Sequence, residues 1–148
     1  MSKKKILIAN DHAGFELKKK ILNFNFDEKF IFLNLGCDTN DPVDYPDLAH
    51  LLSSKINRQE YKNGILICGS GIGMSIVSNR YKNVRAALCL NENMAKLAIK
   101  HNNANILVLG SRLISSELAI KCLITFFSNR FEGGRHKNRI EMINTLKK

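Results

Sequence analysis

Five short apolar runs, each followed by a longer stretch with helical spacing, constrain this chain more than any other feature. They are Lys5 to Ala9, Phe30 to Leu35, Ile65 to Cys68, Ala86 to Leu90 and Ile106 to Leu109. Nearly continuous apolar runs of this length read as strands buried on both faces, the kind found in parallel sheets. After the fourth run, Met94, Leu97, Ala98 and His101 recur at helical spacing. After the fifth, Leu118, Ala119, Cys122, Leu123 and Phe126 do the same, with Ser115 or Ser116 placed to cap that helix. Strand–helix alternation with short connections implies right-handed crossovers. The expected fold is therefore α/β: a three-layer Rossmann-like sandwich with a mainly parallel five-stranded sheet flanked by helices on both faces. Such sheets bind ligands beyond the carboxyl ends of their strands.

The 148 residues are 45% hydrophobic, enough for one core, and no Ser/Pro-rich stretch suggests a linker. One domain over 1–148 is expected. The apolar runs are too short to span a bilayer, and the N-terminal lysines lead into only Ile6 to Ala9 before polar residues, so neither a membrane partner nor a signal peptide is expected. Cys37, Cys68, Cys89 and Cys122 form no Cys-x-x-Cys pair, which argues against a zinc ribbon or dithiol motif and fits a reduced, cytoplasmic protein. The formal charge of +10 raises the possibility of nucleic-acid binding. Against it, the lysines gather at the two ends and at Lys18 to Lys20, without interleaved aromatics to stack bases. Solvated lysine faces, or attraction of small anions, suit the pattern better, and no nucleic-acid partner is expected.

The reactive residues fall at the ends of the expected strands. Asn10-Asp11-His12-Ala13-Gly14 follows the first, Cys68-Gly69-Ser70-Gly71-Ile72-Gly73 the third, and Gly110-Ser111-Arg112 the fifth. A strand that runs through glycines into a helix directs free N–H groups at one point and makes an anion site, with Cys68 beside it. Near the C-terminus Arg135 and Arg139 stand four residues apart, on one helical face with Met142 and Leu146. Arginines on an apolar stripe call for an anionic partner, and phosphate suits the guanidinium fork. Each feature also has an ordinary structural reading: Cys68 as a core thiol, His101 as a satisfied helix residue, Asp11 as a helix cap, and the arginines paired with Glu132 or with a neighbouring chain.

Sharper motifs fail on spacing. A dinucleotide fingerprint wants Gly-x-Gly-x-x-Gly in the first unit, whereas Gly69-x-Gly71-x-Gly73 lies in the third. A Walker A loop needs Gly-Lys-Ser/Thr where Met74-Ser75 follows, and a cysteine-phosphatase loop needs Arg at the place of Met74. His12, His50, His101 and His136 show no metal-ligand spacing, so no metal is expected.

The motifs Asn10 to Phe15, Val43-Asp44-Tyr45-Pro46, Gly64 to Gly73, Lys100-His101-Asn102, Gly110-Ser111-Arg112 and Glu132 to His136 together resemble the ribose-5-phosphate isomerase B family, in family order over nearly the whole chain. The wider family includes allose- and galactose-6-phosphate isomerases, and Ser70 stands where many relatives have threonine. The resemblance implies an aldose–ketose isomerase acting on ribose 5-phosphate and ribulose 5-phosphate, in the non-oxidative pentose phosphate pathway, through ring opening and a cis-enediolate. A hexose 6-phosphate is the alternative substrate; a dinucleotide-dependent oxidoreductase and a nucleic-acid-binding module are more distant ones. By resemblance Cys68 is the base and His101 opens the ring, assisted by Asp11, while Ser70 orients the sugar or the thiol. Gly69, Ser70, Gly71, Ile72 and Gly73 offer N–H groups to the enediolate, and Asn102 holds a sugar hydroxyl. His12, Arg112, Arg135 and Arg139 take the phosphate. Helix N-termini and nearby cations favour thiolates, so the loop that holds an oxyanion also suits a thiol base. The resemblance further implies a homodimer or tetramer with shared active sites, a C-terminal helix at about 135–147 packed on the partner, and no cofactor.

Overall fold

The computed structural model describes residues 3–145. The expected reach of the last helix to residue 147, with Leu146 on its face, and the terminal Lys147 and Lys148 lie outside them. Five strands, β1 (Lys4–Asn10), β2 (Phe30–Asn34), β3 (Gly64–Cys68), β4 (Ala86–Leu88) and β5 (Ile106–Gly110), form one sheet in the order β2-β1-β3-β5-β4. All pairings are parallel: Lys4 lies opposite Phe30, Leu7 opposite Gly64, Gly64 opposite Ile106 and Ile106 opposite Ala86. The helices are α1 (Phe15–Asn23), α2 (Tyr45–Asn57), α3 (Ile72–Ser78), α4 (Glu92–Lys100), α5 (Ser116–Ser128) and α6 (Arg135–Asn144). Among the described residues none is long and apolar enough to cross a membrane.

Side-chain alternation along the strands divides the core in two. Ile6, Ile8, Ile65, Ile67, Leu107 and Leu109 face α1, α4 and α5, whose buried residues include Leu17, Ile21, Ala98, Cys122 and Phe126. Leu7, Ala9, Leu66, Cys68, Ile106 and Val108 face α2 and α3 through Ala49, Leu52, Ile56 and Met74. β3 and β5 are buried along their whole length. Each large aliphatic chain held there contributes about 1.5–3 kcal/mol relative to exposure, which is why these two runs sit at the centre. Ser115 is the residue that caps α5, accepting from the Leu118 N–H at 3.1 Å.

Two expectations are corrected, one on α4 and one at Lys18. On α4 the buried residues are Ala95, Ala98 and Ile99, whereas Met94 and Leu97 are well exposed. Together with Leu88, Ala98 and Ile143 they line an apolar groove of about 520 Å³ beside edge strand β4, so the periodic stripe was split between core and surface. On α6 the chain buries His136 and Ile140, not the face bearing Arg135, Arg139 and Met142, which points outward. Lys18 is no solvated lysine. Set between Leu17 and Ile21 on the buried side of α1, it is 1% exposed. Its Nζ donates to Asn34 Oδ1 at 3.0 Å, Asp38 Oδ1 at 2.7 Å and the Cys37 carbonyl, tying the segment after β2 to α1. Hydrogen bonds from Lys18 and then Asn34 hold the Asp38 carboxyl below the usual carboxylate range. Any stability this adds is present above the ordinary carboxylate pKa and lost as pH falls through the depressed one.

Lys18→Met removes the charged donor to Asn34, Cys37 and Asp38 and is expected to cost about 1.5–3 kcal/mol in urea unfolding, as loss of hydrogen bonds to a charged group does. Exposed Lys20→Met should stay within about 0.5 kcal/mol. Equal losses would show that the buried ammonium holds nothing in place. Phe126→Ala, at a fully buried site, should cost about 3–5 kcal/mol in the same experiment.

Candidate active site

The chain leaves β1 to enter β2 on one side, with α1 on one face, and then β3 on the other side, with α2 on the opposite face. A crevice must open where two neighbouring strands send their connections to opposite faces, at the carboxyl ends of β1 and β3. Asp11 and His12 leave the first strand there, and Cys68 ends the third.

The glycine loop is held tightly. Gly71 has φ 78°, a left-handed conformation that side chains resist, and its added Cβ would strike Leu88 Cδ1 at 2.5 Å. This turn brings the Gly71 N–H onto Cys68 Sγ at 3.1 Å. An amide dipole aimed at sulfur stabilises negative charge on it. The Ile72 N–H donates to Ser70 Oγ at 3.1 Å, so Ser70 caps the loop. Gly110 lets β5 approach, since a Cβ there would meet the Ser70 carbonyl oxygen at 2.5 Å. The N–H groups of Ser111 and Arg112 donate to the Cys68 and Gly69 carbonyls at 2.8 and 2.9 Å. Arg112 thus comes from the next strand over, and its Nη1 would stand 2.9 Å from a Cβ on Gly69.

Asp11 accepts from the Gly14 N–H at 3.1 Å, so its capping reading holds, and it is 6% exposed. His12 accepts the Val43 N–H on Nδ1 at 3.2 Å, which directs its Nε2 away as a donor. Sequence reasoning assigned no role to Tyr45. Its ring covers Gly73, leaving no room there for a side chain, and Pro46 at the start of α2 was the available signal.

The remaining expected site residues are elsewhere. α4 runs from the carboxyl edge of the sheet back to its amino edge, so His101, which caps its C-terminus, and Asn102 lie near the start of β5. Five residues of strand put about 13 Å between the two edges. Arg135 and Arg139 are on that side too, because the Glu132 N–H donates to the Lys100 carbonyl at 3.1 Å and the His136 ring stacks on His101 with centroids 4.2 Å apart. Burial, then His101 and Arg135, push His136 below the usual imidazole range, against the pull of Glu132. The structure brings Cys68, the Gly69–Gly73 loop, Asp11, His12 and Arg112 to one edge and leaves His101, Asn102, Arg135 and Arg139 at the other.

Two further thiols, Cys89 and Cys122, lie buried in the core. Burial, reinforced by Cys122, raises Cys89 to about 12, and burial likewise raises Cys122. Neither is suited to act as a base near neutrality.

The family model described as Ribose/Galactose Isomerase matches residues 6–143. A ribose 5-phosphate isomerase from Thermotoga maritima superimposes with TM-score 0.91 at 50% identity, covering 97% of this chain and 99% of that one. Ribose-5-phosphate isomerase B from Mycoplasma genitalium, solved with bound ribulose-5-phosphate, gives TM-score 0.90 at 40% identity over 97% and 96%. Ribose-5-phosphate isomerase B of Escherichia coli K12 is 35% identical over 143 residues, 97% of this chain and 96% of the relative. With its parallel sheet, its thiol-headed glycine loop and this likeness over nearly its full length, the chain belongs to the ribose/galactose isomerase family.

Proposed function

We propose that this chain interconverts D-ribose 5-phosphate and D-ribulose 5-phosphate, with Cys68 as the base that moves the proton between C2 and C1. The observation that carries the assignment of the base is the Gly71 N–H held 3.1 Å from the Cys68 sulfur at the β1/β3 crevice. Removing the C2 proton puts negative charge on O1 and O2. The loop offers the N–H groups of Gly69, Ser70 and Gly73 to that charge, since those of Gly71 and Ile72 already serve Cys68 and Ser70. One such preorganised donor is worth roughly 3–4 kcal/mol in the transition state. The proton then returns from sulfur to C1, and neither metal nor redox cofactor enters the balance. Ribose 5-phosphate is largely a closed ring, so an acid–base group must open it first, the role given to His101 with Asp11 beside the sugar. His12 and Arg112 bind the phosphate with Arg135 and Arg139, and Asn102 holds a hydroxyl.

These roles require His101, Asn102, Arg135 and Arg139 to reach a Cys68 that lies on the far edge of their own chain. A two-fold dimer solves this if each copy presents its amino-edge residues to the other's crevice. The exposed apolar groove around Leu88, Met94, Leu97 and Ile143 beside β4, together with the outward face of α6, supplies the surface such a dimer would bury. Four free cysteines suit a reducing compartment such as the cytoplasm, where the reaction belongs to the non-oxidative pentose phosphate pathway. The family's inclusion of galactose isomerases makes a hexose 6-phosphate the substrate to assay alongside.

Incubation with ribose 5-phosphate and a chelator should give ribulose 5-phosphate, and Cys68→Ala should lower kcat by about 10²–10⁴. Full activity in that variant would exclude the thiol as base. Gly110→Ala should lower kcat/KM at least about tenfold by displacing the Ser70 backbone, a barrier increase of roughly 1.4 kcal/mol. Mixing inactive Cys68→Ala with inactive His101→Gln and allowing exchange should restore about a quarter of wild-type activity, because half the dimers then carry one intact site. No recovery would mean that both residues act within one chain.

A further inference from the structure

We propose that His101, Glu132 and His136 form a binding site for a divalent transition-metal ion, best fitted by zinc, whose occupation silences His101. The turn leading into α6 brings the three together: the Glu132 N–H is pinned to the Lys100 carbonyl, and the His136 N–H donates to the Gly133 carbonyl at 3.1 Å. Both imidazoles present Nε2 to one carboxylate, His101 at 3.9 Å from Glu132 Oε1 and His136 at 3.7 Å from Oε2. These separations are too long for hydrogen bonds, which end near about 3.2 Å. They suit atoms sharing an ion, since two ligands of a tetrahedral zinc with bonds of about 2.0–2.1 Å stand roughly 3.3 Å apart. All three ligand atoms already lie within 4.8 Å of one another.

The parts also move in the right way. The His101 ring is stacked on His136, 14° from parallel, so its in-plane lone pair meets that of His136 on one ion only once the ring turns out of the stack; the side chains of His101 and Glu132, 37% and 47% exposed, have the room to turn, whereas His136 is buried. Two imidazole nitrogens and one carboxylate favour zinc and its first-row neighbours over magnesium or calcium, which prefer all-oxygen shells. Arg135 and Arg139 nearby set an upper limit on affinity, so the site suits a reversible ion rather than a permanent structural one. Three protein ligands leave a fourth position for water. With Nε2 of His101 on the ion, its lone pair cannot take or return a proton at the sugar ring oxygen. This consequence rests on the proposed role of His101; the binding itself does not.

The test titrates the full-length protein with Zn²⁺ against a chromophoric chelator, with Co²⁺ as spectroscopic reporter. One ion per chain and a tetrahedral Co²⁺ spectrum are expected. Glu132→Gln and His136→Asn should each weaken binding at least about tenfold, as loss of a ligand does, while Cys68→Ala should leave it intact. Absence of binding, or affinity unchanged in both ligand variants, would overturn the site. Inhibition of ribose 5-phosphate turnover by Zn²⁺, relieved by chelator and blunted in Glu132→Gln, is the expected functional result; turnover indifferent to a bound ion would overturn the silencing. A protein that binds the ion but converts no sugar phosphate even with chelator present would instead refute the isomerase reading and leave the site standing.

Discussion

The two-sided burial of β3 and β5 is the constraint from which the rest follows. Strands with no exposed face must be covered by helices above and below, and parallel neighbours must be joined by crossovers. All strand ends of one polarity then gather on a single edge, which is how residues 11, 68 and 112 meet. The approach of β5 to β3 continues past the strands, where Gly110 and Gly71 have no Cβ and the Cys68 and Gly69 carbonyls are held by the next loop. Packing of the core and positioning of the thiol are therefore parts of one close contact.

The same topology divides the chemistry. α4 must return from the carboxyl edge to start β5, and so it delivers His101 and Asn102 to the edge opposite their own Cys68. The apolar surface left beside β4 and the outward arginines of α6 match that division, since a surface completed by a second copy needs both an apolar contact and the residues to contribute. His136 and Glu132 gather around His101 on this edge, the first stacked on its ring and the second with Oε1 3.9 Å from its Nε2.

Much of this was legible in the residues. The five apolar runs became the five strands, although only β3 and β5 are buried along their whole length, the edge strands β2 and β4 being partly exposed. The turn after Cys68 was readable because glycines closing a buried strand mark a tight strand-to-helix turn, and Cys68 itself ends β3 in the core, 4% exposed. Periodicity misled where a helix has two apolar faces. Met94 and Leu97 share the spacing of the core residues of α4 yet lie on the surface. Lys18 was misread because its charge outweighed its place between Leu17 and Ile21, and the oxygens of Asn34, Cys37 and Asp38, with the Phe15 ring 5.8 Å away, offset the cost of burying it.

By itself the sequence determined the α/β class, the strand and helix content, the loop that carries the thiol and the family to which the chain belongs, since these depend on local composition and short-range spacing. Tertiary structure alone decided the strand order β2-β1-β3-β5-β4, and with it the neighbouring carboxyl ends of β1 and β3, the capture of Lys18, the cover of Tyr45 over Gly73 and the placement of His101 and Cys68 on opposite edges. These depend on which strands pair and on the direction in which each helix returns, contacts between residues tens of positions apart that no local pattern records.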